Sequence, residues 1–189
     1  SYPYGASDLY YDRLVWIDAS SGDLWYKNLS LANPPTFLMN LQSPQRAVGI
    51  YGDYLVVSNI SWSAGDSYLY VITYDVKQMS PKSVNSYLVN GMGGWVKGID
   101  VTNDKAIIYF ENNNKVEIKL MDFAPPGNIL SGVLPSNTND CYLAGKPNDI
   151  IVCGGYGGYF TYDIKSSSVA PIPIGMSIGE SGPFSVHGF

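Results

Sequence analysis

The chain has 189 residues, of which 46% are hydrophobic and 14% aromatic against only 14% charged, and 16 are tyrosines. Such a composition excludes a charge-rich disordered chain or a coiled coil and is enough for one domain with a real core. Sixteen acidic against eleven basic side chains give a net charge of −5, so the electrostatic footprint of a nucleic-acid or anionic-lipid binder is missing.

Taken in chain order, the sequence reads as all-β: glycine and proline punctuate it throughout, and the apolar residues recur at period two or in short runs, never at sustained helical spacing. A first unit, about 4–41, holds a strand near 6–11, a turn at Asp12, the run Leu14-Val15-Trp16-Ile17, a strand ending at Tyr26-Lys27-Asn28-Leu29 and an outer strand near 36–41. The second unit, about 44–90, repeats this order with strands at 46–51 and 54–58, a turn at Asp53, a long loop, a strand at 68–74 ending in Tyr74-Asp75-Val76, and a last strand at 85–89. A third unit, about 95–134, turns at Asp104 into Ala106-Ile107-Ile108-Tyr109-Phe110, continues through Lys115 to Met121-Asp122-Phe123 and ends near 128–134. The fourth, about 140–175, turns at Asp149 into Ile150-Ile151-Val152 and passes Tyr162-Asp163-Ile164 to a strand near 169–174. Residues 183–189 then form a lone, surplus inner strand.

Two markers keep step through these units. The turn aspartates advance by 41, 51 and 45 residues, and the polar residues that end the third strands, Asn28, Asp75, Asp122 and Asp163, by 47, 47 and 41. Four-stranded units at a period of 40 to 50 residues are the mark of radially packed blades. Leu14-Val15-Trp16-Ile17-Asp18 followed by Ser21-Gly22-Asp23-Leu24-Trp25 resembles the repeats of YWTD- and TolB-like β-propellers, which implies a single propeller domain over 1–189 with about four four-stranded blades. Units two to four lack the Trp-Ile-Asp core. An aligned β-sandwich is the competing architecture, and the clean alternation of Lys115-Val116-Glu117-Ile118-Lys119-Leu120 fits a sheet with one wet face.

One histidine and two cysteines are too few for most zinc and iron–sulfur sites, so neither metal nor cofactor is expected. The four turn aspartates satisfy local backbone donors more readily than they form a carboxylate ring. The glycine runs at 91–94 and 154–158 lack the Lys-Ser/Thr of a phosphate loop and read as tight connections. His187 has only Ser185 nearby in sequence and no nucleophile elbow accompanies it.

In a propeller the connections from second to third strand and from one blade to the next share one end. That end gathers Arg46, Trp62, Asp66, Trp95, Lys97, Glu111, Asn139, Asp140 and Glu180. Rings beside carboxylates and amides suit recognition of a glycan or a protein, although Trp62 and Trp95 could equally fill gaps between blades. The reading is a non-enzymatic binding or structural module. The alternative is a secreted carbohydrate-active enzyme that uses a carboxylate pair from Asp66, Glu111, Asp140 and Glu180.

No apolar run approaches the roughly 18 residues of a membrane span, and the Ser1-Tyr2-Pro3-Tyr4 start reads as a processed or excised chain. Low charge and the acceptor triplets Asn28-Leu29-Ser30 and Asn59-Ile60-Ser61 point to an extracellular or cell-surface setting with glycans at Asn28 and Asn59, the latter opening the long loop of the second unit. Cys141 and Cys153 stand equidistant from Pro147 in the turn of the fourth unit, which would place them opposite one another as a disulfide. The surplus strand 183–189 could close the ring, mark where a longer propeller was cut, or pair with another subunit; closure or truncation is favoured over donation.

Overall fold

The computed structural model describes residues 6–42, 46–63, 65–89, 94–102, 105–113, 115–122, 129–144, 150–155, 158–164 and 168–171. Sixteen strands fall in four separate antiparallel sheets. The first contains β1 (Ser7–Tyr10), β2 (Arg13–Ile17), β3 (Asp23–Asn28) and β4 (Thr36–Asn40). The second contains β5 (Arg46–Tyr51), β6 (Tyr54–Ser63), β7 (Asp66–Asp75) and β8 (Ser80–Val89). β9 (Gly94–Val101), β10 (Lys105–Asn112), β11 (Lys115–Asp122) and β12 (Ile129–Leu134) form the third. The fourth is built of β13 (Thr138–Ala144), β14 (Ile150–Gly155), β15 (Gly158–Asp163) and β16 (Ser168–Pro171). Each sheet is an up-and-down meander with its strands in sequence order, so the chain is a four-bladed β-propeller and not a sandwich.

The markers keep step because the register links them. Arg13, Tyr54, Lys105 and Ile150, each the residue after a turn aspartate, pair with Asn28, Asp75, Asp122 and Asp163 respectively. In the first two blades the turn also closes identically: the Asp12 carbonyl accepts from Leu29 N (2.6 Å) and the Asp53 carbonyl from Val76 N (2.9 Å). Tyr11 and Gly52, which precede those aspartates, have φ of 51° and 58°, the left-handed conformation a two-residue hairpin turn requires.

Packing between blades explains the apolar runs. In β6 the side chains of Leu55 and Val57 enter a core shared with Val15, Ile17 and Leu24 of the first blade. The intervening Val56, with Ile60, enters a second core with Val96, Ala106, Ile108 and Phe110 of the third. The other face of β10, Ile107 and Tyr109, joins Val116 and Ile118 in a third core with Ile151, Cys153, Phe160 and Tyr162 of the fourth. A strand buried on both faces reads as continuous rather than alternating hydrophobicity. The inner strands β1, β5, β9 and β13 lie side by side in that order.

The alternating segment of the third unit has a radial cause. Val116, Ile118 and Leu120 are buried towards the fourth blade, whereas Lys119, on the opposite face, lies over the Tyr87 ring of β8 at 5.8 Å and donates to Ser131 Oγ at 2.6 Å. The sheets have splayed apart at this radius, and long polar side chains fill the wedge. Tyrosines on the third strands reach back across it elsewhere: Tyr74 Oη donates to Met39 Sδ of the first blade at 3.1 Å, and Tyr162 lies against Gly132 of β12, where a Cβ would come within 2.4 Å of its hydroxyl.

The second blade corrects the sequence reading. Its central hairpin is not a loop after residue 58: β6 and β7 are ten residues each and pair to Ser63–Asp66. Asn59 therefore stands within a strand, half-buried and opposite both Arg46 and Tyr70, instead of opening a long connection. Ile60 and Leu69, both fully buried against the third blade, hold this extension in place. The lone strand at 183–189 lies outside the described residues.

Candidate functional site

Antiparallel order puts the starts of the first and third strands and the ends of the second and fourth at one end of every blade. Arg46 opens β5, Trp62 and Asp66 flank the tip of the β6–β7 hairpin, and Trp95 and Lys97 lie near the start of β9. Glu111 is near the end of β10, and Asn139 and Asp140 are at the start of β13. The sequence-derived residues that are described thus share this end; Glu180 lies outside the described residues.

Within the set, the third blade forms one compact group. Trp95 is the cross-strand partner of Glu111, and Lys97 Nζ lies 4.0 Å from Glu111 Oε2. Lys97 also donates to the Thr138 carbonyl of the fourth blade at 2.6 Å. Both charged side chains are mostly sheltered, so this lysine ties blade three to blade four and leaves Glu111 engaged. Trp95 is 48% exposed. Asn139 is exposed and Asp140 half-exposed at a bulge in the β13–β14 pairing, and Asp66 is exposed at the hairpin tip. The carboxylates of the catalytic alternative lie on three different blades, with Asp66 on β7, Glu111 on β10 and Asp140 on β13. Gly155 and Gly158 pair directly across the β14–β15 hairpin. Among the described residues no cluster of three or more His, Cys, Asp or Glu could hold a metal ion.

The disulfide is present. Cys141 and Cys153 are opposite partners in β13 and β14, with Cα atoms 4.2 Å apart, and both are buried in the core between blades three and four. Asn28 ends β3, and its Oδ1 accepts from Ser30 N at 2.9 Å and Ser30 Oγ at 2.7 Å, an Asx turn beside exposed Leu29.

At the opposite end Asp53 does more than shape a turn. Its carboxylate receives Arg13 of the first blade at 2.7 Å and Lys77 at 2.5 Å, and Arg13 also donates to the Gly52 carbonyl. The Lys77 hydrogen bond, with Arg13 behind it, holds the Asp53 carboxyl below the usual carboxylate range. At the end that carries Trp95 and Asp66, Asp18, the aspartate of the repeat-like motif, accepts from Ser20 and Ser21 and is lowered to about 2 by those bonds, the Ser20 hydroxyl first. It shapes the β2–β3 turn.

Along the axis sits a feature the sequence reading missed. Asp8 Oδ2 on β1 accepts from Ile50 N on β5 at 2.8 Å, and Asp100 Oδ2 on β9 accepts from Leu143 N on β13 at 2.7 Å. Burial, with the Asp8 charge adding to it, pushes the Asp100 carboxyl up to about 6. The Tyr142 hydroxyl on β13 is raised as well, by burial first and then by the charges of Asp140, Asp100 and Asp8. The signal was in the spacing: Asp8 and Asp100 each precede a turn aspartate, Asp12 and Asp104, by four residues, polar positions in otherwise apolar inner strands.

No protein-family model matches the chain, and no curated protein matches it by sequence. Among solved structures it resembles β-propellers. A chain of the nidogen/laminin complex matches with a TM-score of 0.58 at 9% identity, over 86% of this chain and 60% of that one. The putative TolB of Agrobacterium tumefaciens matches at 0.55 and 13%, over 90% and 62%. The Dos1 propeller matches at 0.59 and 10%, over 91% and 49%. The class is therefore a β-propeller, as the resemblance of the first repeat to YWTD and TolB-like repeats implies. This chain spans between about half and three fifths of the length of those three.

Proposed function

We propose that the chain acts outside the cell as a non-enzymatic binding or structural module, one propeller domain that meets a protein partner through the end carrying Trp95, Asp66, Asn139 and Asp140. The observation that carries the reading is the exposed Trp95 ring beside a charge pair already satisfied within the protein. A large apolar ring held on a rigid inner strand, ringed by polar groups, has the make-up of an interface anchor. Engagement of Glu111 by Lys97 favours binding over glycoside hydrolysis. The match to a propeller in a nidogen/laminin complex supports a protein partner, and a disulfide supports an oxidising compartment. Asn28, at a strand end with an exposed neighbour, is the better-placed glycan acceptor; Asn59 is the poorer one.

The test is a display screen of secreted proteins and a glycan array run beside a hydrolysis assay. Trp95→Ala is expected to weaken a captured protein partner at least about tenfold, as loss of an aromatic anchor does, while leaving the thermal midpoint unchanged. Turnover of a glycan that Asp66→Asn or Glu111→Gln abolishes would overturn the reading.

A further inference from the structure

The outer strand of a blade presents a row of amides and carbonyls on which another strand can pair. β4, β12 and β16 keep that row short, at five, six and four residues. β8 is ten residues long, and it is the last strand of its sheet, with no strand paired beyond it among the described residues. Its start carries the features that blunt an edge: Pro81, Lys82 and the register shift opposite Thr73 and Tyr74. Lys82 is folded back onto its own blade, its Nζ 4.6 Å from the centre of the Tyr54 ring. From Ser83 to Val89 these features stop. The stretch pairs with β7 without a shift and holds no charge, proline or glycine. Val84, Ser86 and Leu88 alternate onto one side of it, and Val84 and Leu88 are 62% and 54% exposed. Behind them on β7, the partners of Leu88 and Ser86 are Tyr68 and Tyr70, half-buried with ring centroids 6.4 Å apart.

We propose that a second copy of this chain pairs with β8 in antiparallel sense about a twofold axis at Ser86, joining the second blades of two molecules into one continuous sheet. The order of residues along the strand supplies the partner. Pairing centred on Ser86 sets Val84 opposite Leu88 of the second copy and Leu88 opposite its Val84, with the two Ser86 residues between them. Both exposed apolar side chains thereby meet apolar partners on each side of the axis, and no like charges are opposed. Moving the centre by one residue, to Asn85, would leave Val84 opposite a serine and Leu88 opposite Lys82, so the pattern selects one register. An isologous contact of this kind is closed by two copies. It uses none of the residues assigned above to the protein partner and adds self-association to that reading.

The test is sedimentation velocity of the full chain from about 1 to about 100 μM, a range that covers reversible association of moderate affinity. A species of twice the chain mass is expected. Val84→Lys with Leu88→Lys sets lysine opposite lysine in this register and is expected to weaken dimerisation at least about tenfold, with the far-ultraviolet circular dichroism spectrum unchanged. Val84→Glu with Leu88→Lys sets each glutamate opposite a lysine and is expected to restore the dimer, which a merely loosened edge would not do. A chain that is monomeric at every concentration overturns the proposal and leaves the edge to an extended peptide of another protein. A dimer indifferent to both double variants overturns it as well, because the contact then lies elsewhere. Failure of the glutamate–lysine variant to dimerise would overturn the Ser86-centred register.

Discussion

At the scale of single residues, Asp100 sets the direction in which stability depends on pH. Its carboxyl is raised from 3.8 in the unfolded chain to about 6 in the fold, so the folded state holds its proton more tightly. The stabilisation is full below about pH 4 and is lost as pH rises through about 6, a difference on the order of 3 kcal/mol if no other group intervenes. Asp18 and Asp53 act in the opposite sense: their carboxyls are lowered, and what they contribute is lost as pH falls below about 4. The balance places the stability maximum between these windows. Asp100→Asn keeps an oxygen for the Leu143 amide and carries no charge. It should therefore flatten the decline between pH 5 and pH 8 and raise the urea midpoint at pH 8. A slope identical to that of the unaltered chain would assign the titration to another group.

At the scale of elements, the close approach of β5 to β9 has no room for a side chain at position 49. A Cβ there would lie 2.6 Å from Val101 Cγ2 and 2.8 Å from Ile99 Cγ2, branch atoms that cannot swing away as the end of a long side chain could. Gly49→Ala is expected to cost about 1–3 kcal/mol, the range for an overpacked core, read as a lowered urea midpoint with an unchanged m-value. Strand positions of this inner layer were legible in the sequence: β5 spans the expected 46–51, because a turn aspartate and an unbroken apolar run fix both its ends. The β6–β7 extension was not legible. Asn59, Ser61, Ser63 and Ser67 read locally as loop formers, and the burial of Ile60 and Leu69 against another blade overrides that preference. For the candidate site, the shared end followed from strand alternation alone. That Lys97 serves Thr138 and Glu111 did not, since a bond across 41 residues depends on which blades are neighbours.

At the scale of the whole molecule, the four blades form a series in which each is stabilised by its neighbours, and the series is not uniform. Among the described residues, blades two and three bury both faces in the shared cores, whereas blades one and four each contribute one face. Opening free energy should follow this pattern, as it does in other architectures with nearest-neighbour packing. The fourth blade has a compensating device, because the disulfide ties β13 to β14 across a separation of 12 residues, and a loop of about that size is worth roughly 3 kcal/mol of unfolded-state entropy. Native-state hydrogen exchange at neutral pH should accordingly find the slowest amides in β6 and β10. With the disulfide intact, β14 should exchange at a rate closer to these than β2 does. Replacing both cysteines by alanine should speed exchange in β13–β15 and leave β6 nearly as it was, since blade three still separates the two. Equal acceleration in β6 and β14 would mean instead that the propeller opens as one cooperative unit, with the disulfide stabilising all four blades through the cores that join them.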